Sequence, residues 1–235
     1  MPREKPRRGI DKFFTSMDEE RKSTLTRLRN RAKEVMSTLD KRGLNSTVHG
    51  SLTRGDVSTT SDVDICILIP ISSFQVEMAL TKHQIVSRKI VQATPNYAVK
   101  GIIELDENTS ITFPFIQLSQ RELEFYQFGG KLTLEELNQD QFRPGVNKRL
   151  LLIEPTPDGF WTSSILTKKR EVAKLLDISL EVVEERIRVL SRRDRVGRTG
   201  VFLLRELNPK EHFETVLEEE ISTNPALRRL VKRRT

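Results

Sequence analysis

Gly50 and Ser51 are followed, after ten residues, by Asp62-Val63-Asp64. The two aspartates stand at the head of an unbroken apolar run, Ile65, Cys66, Ile67, Leu68 and Ile69. A strand sends residues i and i+2 to the same face, so both carboxylates project together. Paired carboxylates on rigid backbone suit a hard divalent cation such as Mg²⁺. A Gly-Ser turn just upstream offers bare backbone N–H groups to a phosphate. Phosphate cradle plus paired carboxylates is the minimum equipment for phosphoryl or nucleotidyl transfer.

Several elements must hold these residues in place. Leu25, Leu28, Ala32, Val35, Met36 and Leu39 recur at helical spacing among Arg, Lys and Glu, which predicts an amphipathic helix over residues 16–41. Gly43 is placed to stop it. A short strand over 45–49 leads into Gly50-Ser51, residues 52–55 form a helical turn, and 58–61 form a polar loop. After Pro70, Ser72 and Gln75 match a capping box that opens a helix expected to run to Val91, with Pro95-Asn96 as its breaker. Residues 97–105 and 110–118 read as a hairpin around the turn at 106–109. Short helices are expected at 120–127 and 133–138.

The second half reads differently. A strand-like run at 149–153 and a turn-rich stretch at 154–159 precede two helical segments, 168–177 and 180–193. Ala173, Leu176, Ile178, Val183, Ile187 and Leu190 have the spacing of a helix-turn-helix with a tight turn at Asp177. Residues 196–204, interrupted by Gly197 and Gly200, would supply a hairpin wing. Asn208, Pro209 and Glu211 would start a last helix. The expected division is a basic N-terminal tail (1–15), a catalytic α+β domain with a mixed sheet and flanking helices (16–128), a linker (129–147) and a winged-helix-like domain with a basic tail (148–235).

At 235 residues, 36% hydrophobic and 31% charged, the composition is that of a soluble globular protein. No stretch approaches the roughly 20 apolar residues of a membrane span, and the basic start lacks the apolar segment of a secretory signal. The single cysteine excludes an internal disulfide and favours a reducing compartment, so the cytoplasm is the expected location. A net charge of +7 points toward polyanionic partners. Much of the excess lies in terminal runs (Arg3, Lys5, Arg7, Arg8; Arg228, Arg229, Lys232, Arg233, Arg234) that read as solvated tails.

Gly50-Ser51, the ten-residue spacing and Asp62-Val63-Asp64-Ile65 together resemble the signature of the DNA polymerase beta-like nucleotidyltransferase superfamily. Gly-Ser-Leu-Thr-Arg54-Gly55-Asp56 looks like the longer form found in minimal nucleotidyltransferases, and the chain as a whole is similar to uncharacterised archaeal proteins predicted to be nucleotidyltransferases. The resemblance implies two Mg²⁺ ions held by three carboxylates, with an NTP as substrate. It makes Asp62 and Asp64 the first two ligands and catalytic residues. It gives Ser51 and the Gly50-Ser51 backbone to the β- and γ-phosphates, and Arg54 to a further charge-assisted contact. The third acid of the family lies in a pattern like Asp-hydrophobic-hydrophobic-Pro. Here the matching segment is 111–114, with Ile111 where Asp is expected, so Glu104 or Asp106 would have to serve.

Several residues carry a plainer reading beside the chemical one. Arg54 can pair with Asp56 at the surface. His49 reads as a strand-edge residue, Cys66 as core, and Phe160 and Trp161, in a turn, as packing groups. In the candidate recognition helix Glu181, Glu184 and Glu185 would repel DNA phosphates. Arg192, Arg193, Arg195 and Arg198 lie further along and could hold RNA or a DNA backbone without reading sequence. Two functions follow. One is nucleotidyl transfer to an unidentified acceptor, whether nucleic acid or protein. The other is a nucleic-acid-binding regulator whose transferase domain has lost catalysis.

Overall fold

The structure is a computed structural model that describes residues 12–197 and 200–234. Arg3, Lys5, Arg7 and Arg8 of the N-terminal run, and Arg198, lie outside the described residues. In chain order the elements begin with β1 (Phe13–Ser16), α1 (Glu19–Asp40), β2 (Thr47–His49), α2 (Ser51–Arg54), β3 (Val63–Cys66) and α3 (Ser73–Ala79). Then come β4 (Ser87–Gln92), β5 (Lys100–Asp106), β6 (Thr109–Pro114), α4 (Gln120–Gly129), β7 (Lys131–Thr133), α5 (Leu134–Asn138) and β8 (Gly145–Val146). The chain continues through β9 (Leu151–Thr156), β10 (Gly159–Ser164), α6 (Lys169–Leu175), α7 (Leu180–Val196), β11 (Leu203–Glu206), α8 (Phe213–Thr223) and α9 (Pro225–Arg234).

By contacts the chain forms two compact units that alternate along the sequence. Among the described residues one comprises 12–31, 48–61 and 120–197; the other comprises 32–47, 62–119 and 200–234. The expected linker, 129–147, carries β7, α5 and β8 and falls within the first of these.

In the first unit an antiparallel sheet has the order β1-β10-β9-β8. Val146 and Leu152 from this sheet join Val172, Ala173, Leu176, Ile178, Val182, Val183 and Leu190 in one apolar core. The periodicity that predicts the helix-turn-helix is thus the packing face of α6 and α7. Asp177 takes a left-handed φ of 51° at the turn, and the Ile178 N–H donates to the Ala173 carbonyl at 3.0 Å. Glu124 of α4 accepts from both the N–H and the hydroxyl of Ser179, the residue that caps α7. Burial works against ionisation of Glu124, but these bonds and one from Gln120 prevail and lower its pKa.

In the second unit a mixed sheet runs β11-β4-β5-β6-β3, with β3 parallel to β6 and the other neighbours antiparallel. Alternation along these strands divides the faces. Ile65, Ile111 and Ile103 lie in register on the core face, each with no exposed surface. Phe113 packs edge-on against Phe115 and against Phe213 of α8, at centroid distances of 5.4 Å. Its ring lies over Gly101, where any Cβ would collide with it.

The amphipathic helix is present as α1, and its six predicted core residues are all buried. Gly43, with φ 72°, ends it by donating its N–H to the Asp40 carbonyl at 2.8 Å. Six expectations need correction. The helix expected from Ser72 to Val91 stops at Ala79, and residues 87–92 form strand β4, because Ile90 and Val91 find sheet partners in β5. The Ser72 side chain makes no capping bond to α3; instead Glu214 of α8 accepts from the Ser73 N–H and from both serine hydroxyls. Nor do residues 196–204 return as a wing: β11 pairs with β4 in the second unit's sheet. Finally, the helix expected from Asn208 begins at Phe213, since Asn208 and Glu211 close a turn on each other. The basic run 228–234, expected as a solvated tail, lies in helix α9, where Leu227 and Leu230 are buried. Likewise Phe160 and Trp161 lie on strand β10 rather than in a turn. No helix among the described residues is long and apolar enough to cross a membrane.

Candidate active site

Asp62 and Asp64 lie at the entry of β3 in the second unit. Val63 and Ile65 between and beyond them are buried, while Asp64 is exposed. The strand is anchored there because the Val63 N–H donates to the Asn108 carbonyl at 2.7 Å. Register then builds a polar row across four strands. Asp64 faces Ser110 on β6, Ser110 faces Glu104 on β5, and Glu104 faces Ser87 on β4. Adjacent members are about 5 Å apart along the hydrogen-bonding direction. The row borders a cleft of about 360 Å³ that is also lined by Asp62, Val86, Asp106, Glu107, Asn108 and Thr109.

The members of this row differ in how they are held. Ser110 donates its hydroxyl to Asp64 Oδ1 at 3.3 Å. Glu104 is committed on the other side, accepting from Lys89 Nζ at 2.7 Å and from the Ser87 hydroxyl. The Lys89 and Ser87 hydrogen bonds hold its carboxyl below the usual glutamate range. Asp106 shapes the turn by accepting the Asn108 N–H at 3.0 Å.

The family pattern locates a third acid at Ile111, but the register puts that position elsewhere. Ile111 pairs with Ile65 and is fully buried on the core face. The residue opposite Asp64 is Ser110, whose hydroxyl lies beside that carboxylate. The signal was available in the alternation Thr109-Ser-Ile-Thr-Phe113, which sets Ser110 and Ile111 on opposite faces. Among the described residues no group of three His, Cys, Asp or Glu is placed to hold a metal ion. The Asp62 and Asp64 carboxylates and the Ser110 hydroxyl are hard oxygen donors. They fit one Mg²⁺, which takes one or two carboxylates and completes its shell with water and phosphate. They do not supply the third carboxylate of a two-ion site.

Gly50, Ser51 and Arg54 belong to the first unit. Gly50 has φ 95° and ψ −144°, a conformation that disfavours a side chain, and it precedes the single turn of α2. Ser51 donates its hydroxyl to the Ser61 hydroxyl at 3.2 Å. Arg54 is 5% exposed; its guanidinium pairs with Asp56 at 2.9 Å and donates to the Gly129 carbonyl. That cation pairs with Asp56 as the plainer reading expects, but inside the fold rather than at the surface. His49 stacks with Phe125 and Tyr126, and Cys66 is buried.

In the helix-turn-helix pair, Arg192, Arg193 and Arg195 are exposed on the last turns of α7. Glu184 and Glu185, which would repel phosphate, pair with Lys169 at 3.3 Å and Arg121 at 3.6 Å.

With this geometry in place, residues 29–117 match the family model of the nucleotidyltransferase domain. The match spans α1 from Arg29 through β6 and so includes Asp62, Asp64, Glu104 and Ser110. Neither the curated proteins nor the solved structures contain a significant match to the chain.

Proposed function

We propose that this protein is a nucleotidyltransferase that moves a nucleoside monophosphate from an NTP to an acceptor hydroxyl or phosphate. The observation that carries the reading is the Asp62/Asp64 pair at the entry of β3, on a cleft within the segment that matches the family. The acceptor oxygen attacks the α-phosphorus, the bond to the bridging oxygen breaks, pyrophosphate leaves, and the acceptor proton passes to solvent. Asp62 and Asp64 would hold Mg²⁺, with the Ser110 hydroxyl orienting Asp64. The bound ion supplies charge neutralisation at the phosphates and acidifies the acceptor hydroxyl. By their place in the sequence motif, Gly50 and Ser51 are assigned the β- and γ-phosphates.

The rival reading is a transferase fold that binds nucleic acid and has lost turnover. Ser110 opposite Asp64, with Glu104 tied to Lys89, is the observation in its favour. One experiment separates the two. Purified protein is incubated with Mg²⁺, a cellular extract and each NTP labelled at the α- or the γ-phosphate. The transferase reading expects the α-label on an acceptor, the γ-label in pyrophosphate, and neither product with Asp64→Ala. Equal behaviour of wild type and Asp64→Ala across all four NTPs and with Mn²⁺ in place of Mg²⁺ would refute it.

A further inference from the structure

Helix α9 carries Arg228, Arg229, Lys232, Arg233 and Arg234 in ten residues, with no Asp or Glu among them. It is fixed to the second unit along one stripe. Leu227 and Leu230 are buried, Val231 is half-buried, and Arg234, one turn further on, donates to the Asn96 carbonyl at 2.7 Å and to the Gln117 carbonyl at 3.4 Å. Residues 227, 230, 231 and 234 are the i, i+3, i+4, i+7 positions of one helical face. Arg228 turns back to the Ile221 and Ser222 carbonyls of α8. Arg229, Lys232 and Arg233 are left exposed at i, i+3 and i+4, so they are neighbours on the outward face.

These three side chains make no hydrogen bond or ion pair among the described residues. The acids of the same hairpin, Glu218, Glu219 and Glu220, lie on α8 and form no ion pair with them. Cations in a last helical turn do complement the helix dipole, but that role leaves Arg229, in the first half of α9, unexplained. Three unneutralised cations on a rigid surface suit a partner that repeats negative charge.

We propose that the outward face of α9 binds the phosphate backbone of a nucleic acid strand. An anionic membrane would also attract the charge, but an amphipathic helix needs its apolar face free to enter the interface. In α9 that face is buried in the fold. The contact is electrostatic and independent of base sequence, and it does not depend on the transferase reading.

The test is fluorescence anisotropy of the full chain with labelled oligo(U) RNA and oligo(dT) DNA of about 20 nucleotides, over a salt series. Both polymers offer the same phosphates, and the comparison shows whether the sugar matters. Wild type is expected to bind with affinity that falls steeply as salt rises. The triple variant Arg229→Ala/Lys232→Ala/Arg233→Ala should lose about tenfold or more in affinity, and its log–log salt slope should shrink by about 2, near 0.7 per lost phosphate contact. Lys82→Ala, at an exposed cation beyond the end of α3 that belongs to no candidate site, should bind like wild type. The three changed residues are exposed and unpaired, and an unchanged circular dichroism melt confirms that the variant folds. Absence of oligonucleotide binding at low salt overturns the proposal. So does a folded triple variant with wild-type affinity and slope, or cosedimentation with phosphatidylserine vesicles in place of oligonucleotide binding. If the triple variant does not fold, a wild-type slope near zero overturns the proposal by itself.

Discussion

Ser110 sits directly across the parallel β3–β6 pairing from Asp64, and its hydroxyl donates to Asp64 Oδ1 at 3.3 Å. One strand further on, Glu104 occupies the same row with its carboxylate turned to Lys89 at 2.7 Å. The cleft therefore sets Asp62 and Asp64 beside a hydroxyl, with a third acid paired to a lysine. This arrangement makes the divalent-ion chemistry of the site testable residue by residue.

Ser110→Asp places a carboxylate opposite Asp64. Without metal the like charges repel and raise the pKa of one of them, so the variant should melt below wild type in EDTA. With Mn²⁺ the added oxygen donors should tighten binding by about tenfold, near 1.4 kcal/mol. Titration of Mn²⁺ by electron paramagnetic resonance, with melting curves in EDTA and in Mn²⁺, checks both limbs.

Glu104 contributes a definite pH dependence. Its folded pKa is depressed, chiefly by the Lys89 hydrogen bond and then by Ser87. Stability from this group is therefore complete above the unfolded value of about 4.3. It is lost as pH falls through the lower folded value. Glu104→Gln should lower stability at pH 7 and shrink the drop between neutral and acidic pH. Urea unfolding at a series of pH values measures the difference, and an acid limb identical to wild type would contradict the assignment.

Arg54 and Asp56 form a pair with side-chain exposures of 6% and 11%. Removing one partner leaves a buried charge uncompensated, which costs about 3–5 kcal/mol. Arg54→Ala and Asp56→Ala should each destabilise on that scale, and the double variant by less than the sum. A double-mutant cycle in urea gives the coupling. An Arg54 that served only to bind phosphate would leave the urea midpoint unmoved.

Phe213 reaches the second unit's sheet from a helix far along the chain, packing on Phe113 and Phe115. It is fully buried, so Phe213→Ala should cost about 3–5 kcal/mol. Its neighbour Glu214 caps α3 through Ser72 and Ser73. Glu214→Gln should therefore cost about 1 kcal/mol, the usual worth of a helix cap. Both are read from denaturant midpoints.

Local pattern made a good part of this visible. The apolar stripe of α1, the β5–β6 hairpin, the α6–α7 pair and the entry of β3 are all legible, because helix and strand periodicities act over a few residues. The same periodicity could have assigned Ser110, rather than Ile111, to the face of the aspartates. Strand β4 was not legible, because Ser87–Gln92 is as compatible with a helix as with a strand until β5 and β11 lie on either side of it.

The sequence by itself determined the paired carboxylates, their place at a strand entry and the Gly-Ser turn, since these depend on spacing and backbone alternation alone. Only the tertiary structure decided which side chains are already in use. Arg54 is taken by Asp56 and Gly129, Glu104 by Lys89, and the Ser72–Ser73 turn by Glu214, while Arg229, Lys232 and Arg233 remain unpaired on a helix that composition alone marks as a tail. Hydrogen bonds and ion pairs join residues up to 142 positions apart in the chain, and no local spacing encodes that distance.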